Sequence, residues 1–306
     1  MNIAILGSTS QIAKDLILSF SKNINYDLSL FSRNVELMKN WVCDQNLKNR
    51  YRVVGYDEFN SGTFYDVVIN FVGAGDPAKI QEIGHEIITI TEQYDDMAIE
   101  YIQSHNQTRY IFLSSGVVFG GDFQRPVDEN TSFNLNNESS SLEWYVVAKQ
   151  RAEKKHRSLP DLPIVDVRVF NYFSHTQDMN ARLLMADIVR AITNKAIFET
   201  SPDNVVKDFI TPPDFYSFIN AIINFRPINI ALDCYTKAPV AKFDLLSKLE
   251  GEFGLRYKVN SLADIIDKSR VKMNYYSTNA AASGIGYQAQ RDSMGGIIQE
   301  IRQHLK

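Results

Sequence analysis

Cysteine is scarce in this sequence, since only Cys43 and Cys234 occur among 306 residues. They lie far apart and have no neighbours at metal-ligand spacing, which excludes a disulfide framework and a cysteine-based metal site. No charged and then apolar leader precedes Ile3. We therefore expect a reduced, cytoplasmic protein without a bound metal.

Long apolar runs and an excess of positive charge are also missing. No apolar stretch approaches the roughly 20 residues that are needed to span a bilayer. The formal net charge of −4 gives no basic field for nucleic acid or an anionic membrane surface. The expected partner is therefore a small molecule, with no nucleic acid and no membrane.

Short apolar runs alternate with amphipathic helical patterns through the first half of the chain. This alternation predicts an α/β fold with a Rossmann-type, doubly wound parallel sheet. After Val169 helical patterns are separated by short irregular or strand-like pieces, which predicts a smaller mixed α/β substrate-binding domain at the C-terminus. We predict a cofactor domain over 1–170, joined by part of 205–225, and a mainly substrate-binding domain over 171–306. The predicted strands are Ile3–Leu6, Leu28–Phe31, Arg52–Val54, Val67–Phe71, Tyr110–Leu113 and Ile164–Val169, and the later helical patterns are Ala181–Thr193, Phe215–Ile223, Phe243–Glu252 and Met294–Leu305.

Glycine is sparse where the first strand meets the first helix. The stretch Gly7-Ser-Thr-Ser10-Gln-Ile-Ala13 has the position of a dinucleotide-binding loop but keeps only the first of the three usual glycines. Alanine is accepted at the last position, whereas Ser10 replaces the glycine that lets the backbone approach the pyrophosphate. A serine there can turn its side chain away while the helix N-terminus still favours an anion. We expect Gly7, Ser10, Gln11 and Ile12 to bind a dinucleotide, less tightly than a loop with three glycines would.

The strongest chemical signal is Tyr145-Val-Val-Ala-Lys149, which follows the polar stretch 128–141, a predicted loop. Residues at i and i+4 of a helix share a face, so the Lys149 ammonium can lie near the Tyr145 hydroxyl. That charge is expected to lower the tyrosine pKa from about 10 and to ease proton exchange with an alcohol or ketone oxygen. Ser114 and Ser115 follow a predicted strand at the edge where open α/β sheets bind ligands. A serine there can hold a substrate oxygen, although a polar turn is the alternative.

Together these segments resemble the extended short-chain dehydrogenase/reductase family of nucleotide-sugar epimerases, dehydratases and ketoreductases, over nearly the whole chain. The family's Ser-Ser-x-x-Val-Tyr-Gly motif is similar to SSGVVFG at 114–120, with Phe119 in place of the tyrosine, and its Pro-x-x-Glu segment is similar to RPVDEN at 125–130. Its Tyr-x-x-x-Lys motif matches YVVAK at 145–149. Its Leu-Arg-x-x-Asn and Arg-Asp-Phe-Ile-x-x-x-Asp motifs resemble VDVRVFN at 165–171 and KDFITPPD at 207–214.

The resemblance implies the roles of individual residues. Ser115, Tyr145 and Lys149 would be catalytic. Tyr145 and Lys149 would also bind the cofactor, with Lys149 holding the nicotinamide ribose. Asn171 and Lys207 would contact the diphosphate of the substrate. Lys207 stands where the family has arginine, which keeps the charge but loses the bidentate fork. A hydride-supplying cofactor is retained in this interpretation, because the tyrosine and lysine would otherwise have no partner.

The resemblance also implies a homodimer. In this family the helical stretches that correspond to Ile87–Ile102 and Trp144–His156 pair across a twofold axis. Their expected outer faces carry many charges here: Glu92, Asp95, Asp96, Lys154 and Lys155.

The end of the second predicted strand indicates which cofactor is bound. An acidic residue there binds the ribose hydroxyls of NAD, whereas a cation accommodates the extra phosphate of NADP. The sequence has Ser32 and Arg33 and no carboxylate at that place. Arg33 can offer its fork to a phosphate, so NADP is expected, with NAD less favoured. A solvated arginine on a loop is the alternative interpretation.

Gly116 restricts the possible reactions. In the resembling family, 4,6-dehydratases carry Asp-Glu directly after the catalytic hydroxyl residue, and the enzymes that make GDP-fucose carry a cysteine there. Gly116 and Val117 provide neither group. His175 is a candidate acid, although an isolated loop histidine is more often a surface or diphosphate-contacting residue.

The leading hypothesis is therefore NADPH-dependent reduction of a nucleoside diphosphate keto-sugar, such as a 4-keto-6-deoxyhexose, with a role in polysaccharide biosynthesis. The alternative enzyme is a nucleotide-sugar 4-epimerase that acts through a transient ketone. A non-catalytic NADP-binding regulator is a further alternative, against which the presence of Tyr145 and Lys149 argues. Reduction of some other carbonyl, such as a small aldehyde, is also open.

Overall fold

The strands and helices are described by a computed structural model, which covers residues 1–47, 50–60, 62–120, 123–133, 141–260 and 272–306. In these ranges the strands are β1 (Asn2–Leu6), β2 (Asp27–Phe31), β3 (Arg52–Val54), β4 (Val67–Asn70), β5 (Arg109–Ser115), β6 (Ile164–Val169), β7 (Asn171–Tyr172), β8 (Ile197–Thr200), β9 (Val206–Lys207), β10 (Phe209–Ile210), β11 (Ile230–Cys234), β12 (Val240–Ala241), β13 (Arg256–Val259) and β14 (Asn274–Tyr275). The α-helices are α1 (Gln11–Phe20), α2 (Val35–Asp44), α3 (Pro77–Ile83), α4 (Glu86–Ser104), α5 (Ser141–Arg157), α6 (Leu184–Thr193), α7 (Pro212–Asn224), α8 (Lys242–Phe253) and α9 (Ser293–His304).

Seven parallel strands form the large sheet, in the order β11-β6-β5-β4-β1-β2-β3. Successive residues of a strand point to opposite faces, and both faces of this sheet are covered. Ile3 and Ile5 pack in one core with α1 and α7, whereas Ala4 and Leu6 pack in another with α4. The predicted fold class, a Rossmann-type doubly wound sheet, is confirmed.

Segments on either side of β11 in the chain form a third core. Side chains of α6, α8 and α9 pack together there, with Phe173, Phe209 and Leu255 among the buried residues. Three small sheets surround this core, in the strand orders β10-β7, β12-β9-β14 and β13-β8. None of the helices in the described ranges is long and apolar enough to cross a membrane.

The six predicted strands are present, with bounds that differ by a few residues, and the four later helical patterns correspond to α6, α7, α8 and α9. The sequence analysis did not identify β11, because the buried charge of Asp233 interrupts its apolar pattern. Asp233 is accommodated there because Ser277 Oγ donates to it at 2.6 Å. β11 belongs to the large sheet and α7 packs in its core, although both lie after residue 170. The predicted division of the chain into two domains at residue 170 stays a prediction.

The predicted loop at 128–141 lies only partly in the described ranges. Residues 128–133 contain no helix or strand, α5 begins at Ser141, and 134–140 lie outside the described residues.

Candidate active site

The carboxyl ends of β1 and β4 mark the centre of the candidate site, because the strand order reverses between these two neighbours. Gly7 follows β1 with a φ of +73°, and a Cβ atom on it would lie 2.8 Å from the backbone of Phe71. Glycine is therefore required at this one position of the loop, for conformation and for space.

Ser10 caps α1 and does not need to be glycine. Its backbone is extended, with φ of −67° and ψ of 150°. Its Oγ accepts a hydrogen bond from the Ala13 N–H at 3.2 Å, and the Lys14 N–H donates to the Ser10 carbonyl at 3.0 Å. The N–H groups of Gln11 and Ile12 precede that bond in the first turn, where a helix offers donors to an anion.

The side chain of Gln11 joins α1 to the segment after β7. Its amide donates to Thr176 Oγ1 and, at 3.3 Å, to Asp15. Asp15 is buried and also accepts hydrogen bonds from Thr176 at 2.5 Å and from Tyr172 at 2.9 Å. The Gln11 side chain thus braces the loop, which leaves its backbone N–H for a ligand.

At the end of β2, the side chains of Ser32 and Arg33 differ in whether they are free to bind a ligand. Ser32 is buried, and its Oγ donates to the Asn34 carbonyl and accepts from the Asn34 N–H, both at 3.0 Å. Arg33 is exposed and has no hydrogen bond or ion pair with the described residues. Its guanidinium is therefore free to bind an anion, whereas the predicted cofactor contact of Ser32 stays a prediction.

Tyr145 and Ser115 come together from α5 and the end of β5. Tyr145 is half-buried and packs against an apolar cluster that includes Val117 and Phe170. Burial raises the pKa of Tyr145 to about 12, although hydrogen bonding with Ser115 lowers it in part. The Val117 N–H donates to Ser115 Oγ at 3.4 Å, which orients the serine.

Lys149 lies beneath this tyrosine and is buried. Its Nζ donates to the Leu113 carbonyl at 2.7 Å and lies 4.3 Å from the ring centre of Phe112 and 5.7 Å from that of Tyr145. Burial lowers the pKa of Lys149 to about 8. The expectation that Lys149 lowers the pKa of Tyr145 is wrong for this arrangement, because burial dominates both groups and the ammonium binds a backbone carbonyl.

Tyr275 is a site residue that the sequence analysis missed. Its buried ring lies 4.8 Å from that of Phe123 and 5.3 Å from that of Phe170, in the cluster against which Tyr145 packs. Burial raises the pKa of Tyr275 far above its ordinary value, against hydrogen bonding with Ser115. Ser115 is therefore shared by two tyrosine hydroxyls.

Two lysines lie beside Tyr275 in the small sheet. Lys207 is paired in register with Tyr275 on the neighbouring parallel strand, which places both side chains on one face. Lys272 Nζ lies 4.3 Å from the ring centre of Tyr275. Burial lowers the pKa of Lys207, and burial together with the charge of Lys207 lowers that of Lys272 to about 8. Neither lysine has a carboxylate partner in the described residues, so the pair is a candidate site for an anion, and the predicted diphosphate contact of Lys207 stays a prediction.

The Asn171 side chain is used within the protein. Its Nδ2 donates to the carbonyl of Asp208 at 3.0 Å and to that of Tyr275 at 3.4 Å. This amide holds β7 against the strand that carries Tyr275. Its predicted contact with a diphosphate stays a prediction.

Glu153 connects α5, which carries Tyr145 and Lys149, to the strand that carries the serines. Ser114 Oγ donates to Glu153 at 2.5 Å, and Arg168 binds both Glu153 oxygens from the other side at 3.0 Å. Arg168 also reaches Asp233 at 3.4 Å. Ser114 therefore positions the helix, while Ser115 faces the site.

A second buried network lies behind α5. His156 is fully buried between Asp166 and Asp95, at 2.6 and 2.7 Å, and Lys155 also binds Asp95 at 2.8 Å. Burial disfavours the charged imidazole, but the two carboxylates outweigh it and raise the pKa of His156 to about 9. The expectation that Asp95 lies on an outer face is wrong, because its side chain points inward to His156.

Phe170 packs beside Gly116, and Glu300 binds His175, the two other positions considered in the sequence. A Cβ atom on Gly116 would lie 2.4 Å from the ring of Phe170, so that ring takes the space of a side chain after Ser115. His175 Nδ1 binds Glu300 of α9 at 2.7 Å, and its backbone N–H donates to the same carboxylate at 2.9 Å. His175 is thus held by the C-terminal helix rather than by the Ser115 and Tyr145 pair.

Solved structures with this architecture superpose on nearly the full length of this chain. UDP-glucose-4-epimerase from Stenotrophomonas maltophila, with NAD and formylated UDP-arabinopyranose, is 15% identical with a TM-score of 0.80, covering 99% of this chain and 97% of that one. UDP-glucuronic acid 4-epimerase from Bacillus cereus, with UDP-glucuronic acid and NAD, is 16% identical with a TM-score of 0.77, covering 100% of both chains. dTDP-glucose 4,6-dehydratase from Bacillus anthracis str. Ames, with NAD, is 13% identical with a TM-score of 0.78, covering 100% of this chain and 96% of that one. At these identities the likeness shows the fold.

Sequence comparison identifies the family. A search of curated proteins finds no significant match. The sequence model of the NAD dependent epimerase/dehydratase family matches residues 3–231, which is most of the chain. This protein therefore belongs to the NAD dependent epimerase/dehydratase family and is an enzyme of the extended short-chain dehydrogenase/reductase type.

Proposed function

We propose that this enzyme uses NADPH to reduce the keto group of a nucleoside diphosphate sugar, a 4-keto-6-deoxyhexose being the leading candidate. The observation that carries the proposal is that Tyr145 and Ser115 come together from α5 and the end of β5, with Lys149 Nζ 5.7 Å from the ring centre of Tyr145. Burial raises the pKa of Tyr145 to about 12, so the hydroxyl carries its proton at neutral pH, as a general acid must. Reduction needs a proton donor at the carbonyl oxygen, which Tyr145 is placed to be.

The residues present fit a dinucleotide at the carboxyl edge of the sheet. The N–H groups of Gln11 and Ile12 are available at the N-terminus of α1, as a pyrophosphate requires. A Cβ atom on Gly73 would lie 3.7 Å from Lys149 Nζ, so the absence of a side chain at Gly73 leaves an approach to that ammonium. Lys149 would hold the nicotinamide ribose in this arrangement.

The proposed reaction is balanced by one hydride and one proton. The nicotinamide, when bound, supplies the hydride to the carbonyl carbon. Tyr145 gives its proton to the carbonyl oxygen, and the resulting phenolate is reprotonated from solvent. Ser115 would donate a hydrogen bond to the same oxygen and stabilise the charge that develops there.

The unpaired lysines support a nucleotide-sugar substrate. Lys207 and Lys272 lie beside Tyr275, which shares Ser115 with Tyr145, so an anion bound by them would be adjacent to the reacting carbon. A diphosphate suits two cations without carboxylate partners. The similar structures contain UDP-glucuronic acid and formylated UDP-arabinopyranose, which agrees with this class of substrate.

The choice of NADP rests on Arg33, which is exposed, unpaired and without a competing carboxylate at the end of β2. The similar structures contain NAD, which keeps NAD as the alternative cofactor.

A nucleotide-sugar 4-epimerase is the second candidate, favoured by two of the similar structures, which are 4-epimerases. It would use the same serine, tyrosine and lysine on a transient ketone. The Phe170 ring beside Gly116 argues against the further acid and base that dehydration needs.

A panel of nucleoside diphosphate 4-keto-6-deoxy sugars and of nucleoside diphosphate hexoses tests the proposal. The enzyme is expected to consume NADPH stoichiometrically with a keto-sugar, as followed by absorbance. Interconversion of hexose epimers without net NADPH consumption would replace it with the epimerase. No turnover with either set would favour the reduction of some other carbonyl, such as a small aldehyde.

A further inference from the structure

Tyr56 joins the ends of three strands at the carboxyl edge of the sheet. The Ser8 N–H donates to the carbonyl of Phe31, the last residue of β2, and the Ser32 N–H donates to the carbonyl of Val54, the last residue of β3, both at 3.1 Å. Tyr56 follows β3 in a 3-10 turn and reaches past β2, where its hydroxyl accepts the Gly7 N–H at 2.9 Å. The phenol oxygen is thus fixed beside the first residue of the dinucleotide loop.

The proton of this hydroxyl has no acceptor among the residues that the structure describes. Burial raises the pKa of Tyr56 to about 12, against smaller opposing effects of the Gly7 bond and of the Arg33 charge, so the hydroxyl keeps its proton. Among the described residues the hydroxyl accepts from Gly7 and donates to none. The ring is held 4.5 Å from that of Tyr94 and stacks on Phe31 at 6.4 Å.

Arg33 directly follows Ser32, whose N–H donates to the Val54 carbonyl at 3.1 Å, and Tyr56 comes two residues after Val54, so the backbone brings Arg33 and Tyr56 to the same edge of the sheet. The Arg33 side chain is exposed and has no hydrogen bond or ion pair among the described residues. A phosphate has several acceptor oxygens, which suits a guanidinium fork together with a neutral hydroxyl donor. The adenosine half of a dinucleotide lies over the end of the second strand. The two side chains therefore offer adjacent donors where a 2′-phosphate would stand.

We propose that Tyr56 is a second ligand of the cofactor's 2′-phosphate, donating its hydroxyl proton to the group that Arg33 binds. This inference rests on the proposed use of NADPH. It assigns Tyr56 a part in selecting NADPH over NADH, besides its anchoring of Gly7.

Binding titrations of the unliganded enzyme with NADPH, NADH, adenosine 2′-monophosphate and adenosine 5′-monophosphate test this assignment. Tyr56→Phe keeps the ring and removes only the hydroxyl. We expect this change to weaken the binding of NADPH and of adenosine 2′-monophosphate about 5- to 10-fold. The binding of NADH and of adenosine 5′-monophosphate is expected to weaken less than about 2-fold. Tyr94→Phe, which removes a neighbouring hydroxyl without a described hydrogen bond, serves as the control and is expected to change none of them.

Each other outcome has a distinct meaning. Equal weakening of all four ligands would limit Tyr56 to anchoring Gly7 and overturn the assignment, as would unchanged binding. A wild-type enzyme without preference for NADPH would instead overturn the proposed cofactor. If thermal melting shows that Tyr56→Phe does not fold, a crystal structure of the wild-type enzyme with adenosine 2′-monophosphate provides the second measurement: a phosphate oxygen within hydrogen-bond distance of the Tyr56 hydroxyl would support the assignment, and a phosphate bound away from that hydroxyl would overturn it.

Discussion

The ring of Phe170 fills the space beside Gly116, such that a Cβ atom there would lie 2.4 Å from Phe170 Cδ1. Directly after Ser115, which we propose to be catalytic, the enzyme therefore has no room for an acid or a base. Gly116→Ala is expected to destabilise the protein by about 1 to 3 kcal/mol, because an added methyl group must displace a packed ring.

The measurement is denaturant unfolding, with Gly251→Ala as the control. Nothing lies within 4 Å of a Cβ atom on Gly251, which is in α8. The control is expected to gain stability, by about 0.5 to 1 kcal/mol, because alanine favours a helix. Equal stability of Gly116→Ala and wild type would contradict the close packing.

Tyr145→Phe is expected to cut turnover by about two to four powers of ten while leaving NADPH binding nearly intact, since it removes the proton donor. Lys149→Met is expected to lower activity and also to weaken NADPH binding. Ser115→Ala is expected to be milder, because the acid remains. Steady-state rates and fluorescence titrations give this order; full activity of Tyr145→Phe would place the proton donor elsewhere, with His175 as the next candidate.

Tyr275→Phe is expected to lower kcat, because its hydroxyl helps to orient Ser115. If Tyr275 acts through Ser115, Tyr275→Phe should lower kcat less when Ser115 is already alanine. The decrease in log kcat in that background should be less than half of the decrease in the wild-type enzyme. Tyr276→Phe is the matched control, since that hydroxyl has no hydrogen bond in the described part of the chain, and it should leave kcat unchanged. Additive losses in the double variant would show that Tyr275 does not work through the serine.

His156→Gln is expected to destabilise the protein by roughly 3 to 5 kcal/mol near neutral pH, because Asp95 and Asp166 lose the cation between them. The folded pKa of His156 is raised to about 9. Its contribution is therefore complete below the unfolded value of about 6.5 and declines as the pH rises through about 9. Urea unfolding should show the difference between variant and wild type shrinking across that range.

His85→Gln provides the comparison for this experiment, since His85 is exposed and has no ion pair among the described residues. A difference for His156→Gln that stayed constant from pH 6.5 to 9 would mean that the buried imidazole is not charged.

The proposed homodimer is expected to form through α4 and α5. Their charges partly pair within one chain, as Arg151 does with Glu92 at 3.2 Å and Lys155 with Asp96 at 2.6 Å. Such pairs reduce the charge that a partner would have to accommodate. Light scattering at micromolar concentration should report twice the mass of the chain, and a monomer would remove this proposal.

The sequence by itself determined the parallel sheet and the placement of Tyr145 and Lys149 on one face of α5. Alternating apolar runs and helices have few stable arrangements, because each strand must be buried on both faces. The i and i+4 spacing of Tyr145 and Lys149 is a local property of a helix, and it places them on one face without reference to the rest of the chain.

Only the tertiary structure decided what surrounds them. The Tyr56 hydroxyl binds the Gly7 N–H although the two residues are 49 positions apart in the sequence. Tyr275 lies near the C-terminal end of the chain, yet its hydroxyl shares a hydrogen bond with Ser115. No local pattern marks such contacts, because they depend on how loops from different strands converge. The charge states of Tyr145, Lys149 and His156 were equally inaccessible, since burial and buried partners set a pKa and both are properties of the folded chain.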